Sequence, residues 1–123
     1  MKILFLDDDH DRHKKIVRQL VGHSLDRVFS AQEAIACLEK NVYDLVMLDH
    51  DLGGPESENQ LFDDAEDGRF VANWIAENSE KFSETSFIIH SLNEQGRKSM
   101  ARTIKTAGLR VKIHPFAWSN LII

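Results

Sequence analysis

The chain has 123 residues, with 42% apolar and 28% charged positions and a net charge of −5 when its histidines are neutral. That length suits one domain over residues 1–123 and is too short for two, and the acidic balance argues against duplex nucleic acid, whose phosphates reward clustered Lys and Arg. Cys37 is the only cysteine, which leaves no internal disulfide and no Cys-based zinc site, and no apolar run approaches the ~20 residues of a membrane span.

The chain starts with a short apolar run, Ile3 to Leu6, that stops at Asp7-Asp8-Asp9. A run without alternation predicts a strand buried on both faces of a parallel sheet. Four acids within residues 7–11 are incompatible with the cleavage site of a signal peptide, so a reducing cytoplasm is expected. His13, Ile16, Val17, Leu20 and Val21 then recur at the spacing of a buried helix face. Val28-Phe29 reads as a weak strand, and Ser30 with Glu33 forms a capping box that opens a helix through Ala34, Ile35 and Leu38. The clearest strand lies within Asp44 to Asp51, where Leu45-Val46-Met47-Leu48 runs into Asp49-His50-Asp51.

Gly53-Gly54-Pro55 breaks the chain, and an acidic loop insertion is expected at about 54–66. Helical spacing returns at Phe70, Val71, Trp74 and Ile75. Phe87-Ile88-Ile89 is a buried strand ending in His90-Ser91. A helix is expected over Gly96 to Ala107, with Met100 and Ile104 inward and Gly108 as its C-cap. Val111 to Ile113 is the last strand, running into His114-Pro115-Phe116. Strands alternating with helices predict an α/β fold, a doubly wound parallel sheet with helices on both faces. The few residues after the last strand make a full final helix doubtful.

Four of the five strands end in polar, titratable groups: Asp7-Asp8-Asp9, Asp49-His50-Asp51, His90-Ser91 and His114. In an open α/β sheet these ends share one edge, where ligands bind. An acid after a strand is often only a helix N-cap, a role suited to Asp9 or Asp11. Capping does not require successive acids at two strand ends, and clustered carboxylates repel unless a cation or protons intervene. Such oxygen-rich sites favour Mg²⁺. His10, His13 and His23 are read as structural, whereas His50, His90 and His114 each end a strand. Alternation places Asp49 and Asp51 on one face with His50 on the other, and separates His90 from Ser91. No Ser-His-Asp triad can be built.

Asp7-Asp8, Asp49, Ser91 and the residue–Pro–Phe after the last strand resemble the response-regulator receiver domain over nearly the whole chain. The resemblance implies a flavodoxin-like five-stranded sheet of order 2-1-3-4-5. It implies an acid pocket of Asp7 and Asp8, a phosphoacceptor position at Asp49, and a metal ligand in the backbone carbonyl of Asp51. Ser91 stands where receivers keep a phosphate-contacting hydroxyl, and Asp67-Gly68 resembles the start of their third helix. Receivers carry Lys just before the last Pro, where this chain has His114. Leu48-Asp49-His50-Asp51-Leu52-Gly53-Gly54, His90-Ser91-Leu92-Asn93 and His114-Pro115-Phe116 together look like a divergent branch, the cyclic-phosphate-processing receivers. A cis His114–Pro115 bond is compatible with the same resemblance.

Two functions follow as expectations. One is a divalent-metal-dependent hydrolase of a cyclic phosphate or related phosphoester carried by a small molecule or nucleotide. Asp7, Asp8, Asp49 and Asp51 would serve the metal; Asp49 with His50, His90 or His114 would serve catalysis; Ser91 and Asn93 would orient the phosphate. Imidazole also admits Mn²⁺ or Fe²⁺ in place of Mg²⁺. The other is a stand-alone receiver phosphorylated on Asp49 by a histidine kinase. A degenerate, receiver-like adaptor is the blandest reading.

Overall fold

Strand β1 (Lys2–Leu6) forms because its last four side chains, all apolar, have no solvent to face: Ile3, Leu4, Phe5 and Leu6 are all fully buried. In the computed structural model, which describes residues 1–52 and 67–114, β1 is followed by α1 (His10–Gln19), β2 (Ser24–Val28), α2 (Ala31–Lys40) and β3 (Leu45–Leu48). Then come α3 (Gly68–Glu77), a single 3₁₀ turn (Ser79–Phe82), β4 (Ser86–Ile89), α4 (Glu94–Thr106) and β5 (Arg110–Ile113). The strands pair in parallel in the order β2-β1-β3-β4-β5, the order that the receiver resemblance implies. The 54–66 insertion, the Gly53-Gly54-Pro55 break, the His114–Pro115 bond and the final helix lie outside the described residues.

Period-two alternation divides the core between two faces. Leu4, Leu6, Val46, Leu48, Phe87 and Ile89 meet Ala34 and Leu38 of α2, Val71 and Ile75 of α3, and Met100 and Ile104 of α4. Ile3, Phe5, Leu45, Met47 and Ile88 face the other way, onto Ile16 and Leu20 from α1 and its C-cap. Each such side chain contributes roughly 1.5–3 kcal/mol on full burial.

Four helices begin on side-chain caps. Asp9 accepts the N–H groups of Asp11 and Arg12, Ser30 that of Glu33, Asp67 those of Arg69 and Phe70, and Asn93 that of Gly96. Gly108, at φ +85° after α4, terminates that helix in the left-handed conformation that glycine adopts without a Cβ penalty.

The structure differs from the sequence pattern where elements meet solvent. Val17 and Val21 are exposed, 43% and 79%, because α1 presents only a narrow stripe through His13 and Ile16 and ends before Val21. Phe70 is also exposed, and α3 buries Ala72 instead. β2 begins at Ser24 rather than at Val28. As an edge strand it carries Asp26 and Arg27, charges that blunt an open edge and mask its strand pattern.

Candidate functional site

The parallel register carries straight through the strand ends. Leu6, Leu48, Ile89 and Ile113 are aligned across β1, β3, β4 and β5. One residue further on, each backbone N–H donates to the neighbouring strand. Asp7 donates to Val28 O at 3.2 Å, Asp49 to Leu6 O at 3.1 Å, His90 to Leu48 O at 3.0 Å and His114 to Ile89 O at 2.9 Å. Residues in parallel register point to the same face, so Asp7, Asp49, His90 and His114 form a row on the α1 side of the sheet. Asp7, Asp49 and His90 are 0%, 2% and 2% exposed.

Their contacts are short. Asp7 Oδ1 accepts from Asp9 N–H at 2.9 Å and from Arg12 Nη2 at 3.1 Å. Its Oδ2 lies 2.9 Å from His90 Nε2 and 2.9 Å from Arg12 Nε. Arg12 Nη2 also reaches Asp49 Oδ2 at 3.5 Å and Asp8 Oδ1 at 4.0 Å. Below this layer, His13 Nε2 donates to the Asp7 carbonyl at 2.7 Å. The Phe5 ring stacks on His90 at 4.9 Å, and His13 lies edge-on to Phe5.

Burial favours the uncharged form of both imidazoles and lowers the pKa of each, so neutral His90 donates through Nε2 to Asp7. Burial alone would raise Asp7. The His90 hydrogen bond, the Asp9 N–H and the Arg12 guanidinium outweigh it and hold Asp7 below the ordinary carboxylate range. Asp49 has no such set of donors. Burial first, then the Asp7 charge, pushes it up to about 8, with Arg12 opposing. One guanidinium thus shares two buried carboxylates, and the pocket is short of positive charge.

A divalent cation fits that deficit. Asp7, Asp49 and His90 each offer a ligand atom, and the three atoms lie within 4.8 Å of one another. Two carboxylates with an imidazole suit Mg²⁺ through oxygen and Mn²⁺ or Fe²⁺ through nitrogen.

The remaining sequence-derived residues are placed differently. Asp8 is half-buried at the mouth of the pocket, in contact with Arg12. His50 points to the α3–α4 side, where its Nδ1 lies 2.8 Å from Asp51 Oδ1 and its Nε2 lies 3.8 Å from Asp67 Oδ2. The Asp51 carboxylate therefore pairs with His50 and not with Asp49, because β3 ends at Leu48 and alternation ends with it. Ser91 is buried, and its hydroxyl accepts the Asn93 N–H at 3.0 Å. Asn93 caps α4 through its carbonyl oxygen, while its Nδ2 lies 3.4 Å from Asp51 Oδ1. Thus Asp7, Asp49 and His90 come together, and His50, Asp51 and Asn93 form a second cluster beside them.

Gly96 makes that second cluster possible. A Cβ there would lie 2.5 Å from both Cγ and Cδ2 of His50. Gly96→Ala is therefore expected to drive the imidazole away from Asp51, visible as shifted His50 ring resonances. The thermal midpoint should move little, because helix propensity gained (about 0.5–1 kcal/mol) offsets crowding of a movable side chain.

Arg12 is the site residue that sequence reading missed. A signal for it exists: a cation in the first turn of α1 opposes the helix dipole and so needs a nearby anion. Arg97 was also overlooked as a neighbour of the site; its Nη1 lies 3.5 Å from Ser91 O. A separate cleft of about 360 Å³ lies at the other end of the strands, lined by Met1, Asp44, Ser86, Ile88, Arg110 and Lys112 among others. It holds none of the site residues, and the chemistry stays with the row of strand ends.

The family model of the cyclic-phosphate-processing receiver domain matches residues 2–106. The chain belongs to that family. No curated protein matches it. The receiver domain is similar to solved structures at identities that bear on fold alone. One is the response regulator TrrA from Thermotoga maritima in complex with Mg²⁺ and BeF, with 20% identity, a TM-score of 0.68, and coverage of 96% of this chain and 90% of that one. Another is the receiver domain of the Francisella response regulator 1452, with 21% identity, a TM-score of 0.67, and coverage of 98% and 89%. A third is the receiver domain of NtrX from Brucella abortus, with 23% identity, a TM-score of 0.64, and coverage of 96% and 89%. No helix among the described residues of this receiver domain is long and apolar enough to cross a membrane.

Proposed function

We propose that this receiver domain is a divalent-metal-dependent phosphoesterase acting on a cyclic phosphate or a related phosphoester of a small molecule or nucleotide. The observation that carries the reading is the row itself, in which two imidazoles, His90 and His114, follow two carboxylates, Asp7 and Asp49, in parallel register. A site that only stores a phosphoryl group on a carboxylate needs no proton-transfer groups of its own. A site that hydrolyses a P–O ester bond must take a proton from water and return one to the leaving oxygen.

Asp7, Asp49 and His90 would hold the cation, with the Asp51 backbone carbonyl as the further ligand that the receiver resemblance implies. The bound cation would supply polarisation of a phosphoryl oxygen and a lowered pKa for a nearby water. His90 serves as ligand only after its Nε2 proton moves to Nδ1, which its neutral, burial-favoured state allows. His114 then remains as the acid–base group. It stands next in the row, and its Nε2 makes no hydrogen bond among the described residues. His50 acts at one remove: held by Asp51 and seated on Gly96, it fixes the loop after Asp49 against α4. Ser91 and Asn93 shape the turn that presents the α4 N-terminus to an anion, a favourable direction for a helix dipole.

The test is release of ring-opened or dephosphorylated product from a panel of cyclic nucleotides and cyclic-phosphate-ended RNA, with Mg²⁺ or Mn²⁺. Turnover should fall at least ~100-fold in Asp49→Asn and in chelator, on the scale of losing an electrostatic catalytic group. The fold match to TrrA in its Mg²⁺–BeF complex favours a second reading, a phosphoacceptor carboxylate at Asp49. A persistent acyl phosphate on Asp49, with no product from any substrate, would select that reading instead.

A further inference from the structure

We propose that Arg12 is an exchangeable counter-ion: it leaves the Asp7 carboxylate when a divalent cation is taken up, and the released guanidinium becomes the phosphate-binding group of the site. The identity of the anion rests on the phosphoester reading above; the exchange itself does not.

An ionised carboxylate offers about four acceptor positions. On Asp7 three are taken by hydrogen bonds from Asp9 N–H, Arg12 Nη2 and His90 Nε2, at 2.9, 3.1 and 2.9 Å, and the Arg12 guanidinium also lies against the second oxygen as an ion pair, Nε 2.9 Å from Oδ2. A cation that binds through Asp7 therefore competes with these groups for the same two oxygens. The Asp9 N–H is fixed by the α1 cap, in which the Asp9 side chain holds Asp11 and Arg12 N–H. The His90 ring is held in place by its ladder bond to Leu48 O and by its stack on Phe5, so it can give up the Nε2 proton and its bond to Asp7 but cannot leave the pocket. Arg12 alone among the three is a long side chain at the mouth of the pocket, 23% exposed, with bonds that can rotate outward. A guanidinium and a divalent cation against the same carboxylate repel each other, and the guanidinium is the group that can yield.

Its destination follows from charge. Two ionised carboxylates, one divalent cation and a phosphate diester sum to net negative charge in a pocket whose Asp7 and Asp49 are buried, which favours a further cation close by. Arg12 already reaches Asp7, Asp8 and Asp49 within 4.0 Å, so a short swing keeps it over the same pocket. A guanidinium presents paired N–H groups that match two phosphoryl oxygens.

The experiment reads binding, not turnover. Mn²⁺ is titrated into the full chain by electron paramagnetic resonance, and inorganic phosphate is then titrated into the Mn²⁺-loaded protein by ³¹P line broadening. Wild type, Arg12→Gln and Arg12→Lys are compared. Arg12→Gln is expected to bind Mn²⁺ about 5- to 100-fold more tightly than wild type, as removal of a coupled competitor requires. Its phosphate affinity should fall about tenfold or more, the scale of a charge-assisted hydrogen bond. Arg12→Lys keeps the charge and loses the fork, and should lie between the two on both readings.

Equal or weaker Mn²⁺ binding by Arg12→Gln overturns the exchange, and so does a failure of either protein to bind Mn²⁺. Unchanged phosphate affinity overturns the second role. If Arg12→Gln does not fold, Arg12→Lys decides: phosphate affinity equal to that of wild type sinks the proposal. Absence of product in the phosphoesterase assay with these shifts intact would count against the function and leave the exchange standing.

Discussion

Asp49→Asn is expected to raise the thermal midpoint of the metal-free protein at pH 7 by roughly 5 °C or more. The folded-state pKa of Asp49 is raised from 3.8 to about 8. Below the unfolded value both states hold the proton, and the group has no effect on stability. As pH rises from 3.8 toward 8, the unfolded chain ionises freely while the folded one keeps its proton or ionises at a cost. Stability is lost across that window, and an isosteric amide removes the loss. Asp7 has the opposite sign: its lowered folded pKa contributes stability above the ordinary carboxylate range that is lost on acidification. The difference between wild-type and variant unfolding curves from pH 4 to 8 isolates Asp49. That difference should grow with pH and level off near 8. A second arm adds Mn²⁺ or Mg²⁺, which should stabilise wild type by about 2.7 kcal/mol at a hundredfold excess over Kd and leave the variant nearly unmoved. A variant less stable than wild type throughout the window would show that Asp49 is already adequately neutralised, and the charge deficit of the pocket would be wrong.

The second large effect is structural. Gly68→Ala is expected to destabilise the protein by about 3 kcal/mol or more, at the upper end of overpacking costs. A Cβ at Gly68 would run into the carbonyl oxygen of Asp49 and would lie 2.8 Å from His50 Cα and 2.8 Å from Met100 Cε. Met100 can move aside; the backbone after β3 cannot, because Gly68 N–H donates to His50 O at 2.8 Å and Asp49 N–H to Leu6 O. The two glycines near the site therefore differ in kind, Gly68 meeting backbone and Gly96 a side chain. Urea unfolding should show a lower midpoint with an unchanged slope. A midpoint within error of wild type would mean that α3 does not approach β3 as closely as the glycine implies.

Most of the fold was legible because burial writes itself into the sequence as period. The unbroken apolar runs of β1, β3 and β4 have only one comfortable home, the middle of a parallel sheet. Ser30 with Glu33 and Gly108 marked helix ends through capping chemistry that depends on few neighbours. The errors fall at the periphery. β2 looked two residues long because an edge strand needs no apolar run, and Val17 looked buried because spacing alone does not say how wide a stripe α1 presents.

At the site, the strand-end acids and histidines were visible in the sequence as residues, and parallel connectivity was enough to bring them to one edge. Their partners were not visible. Whether Asp51 turns toward Asp49 or toward His50 depends on where β3 stops, which is decided by Gly68 and α3 docking behind it. Whether His90 is a proton carrier or a ligand depends on its 2.9 Å approach to Asp7. The role of Arg12 depends on α1 being laid across β1 so that a helix side chain returns over the strand it follows. The class of fold, the strand ends that carry chemistry and the acidity of the pocket follow from local period and composition, and so can be read along the chain. Which acid is fully compensated by its neighbours and which is left short of charge is settled by packing, because packing sets the hydrogen bonds of about 3 Å between residues far apart in the chain.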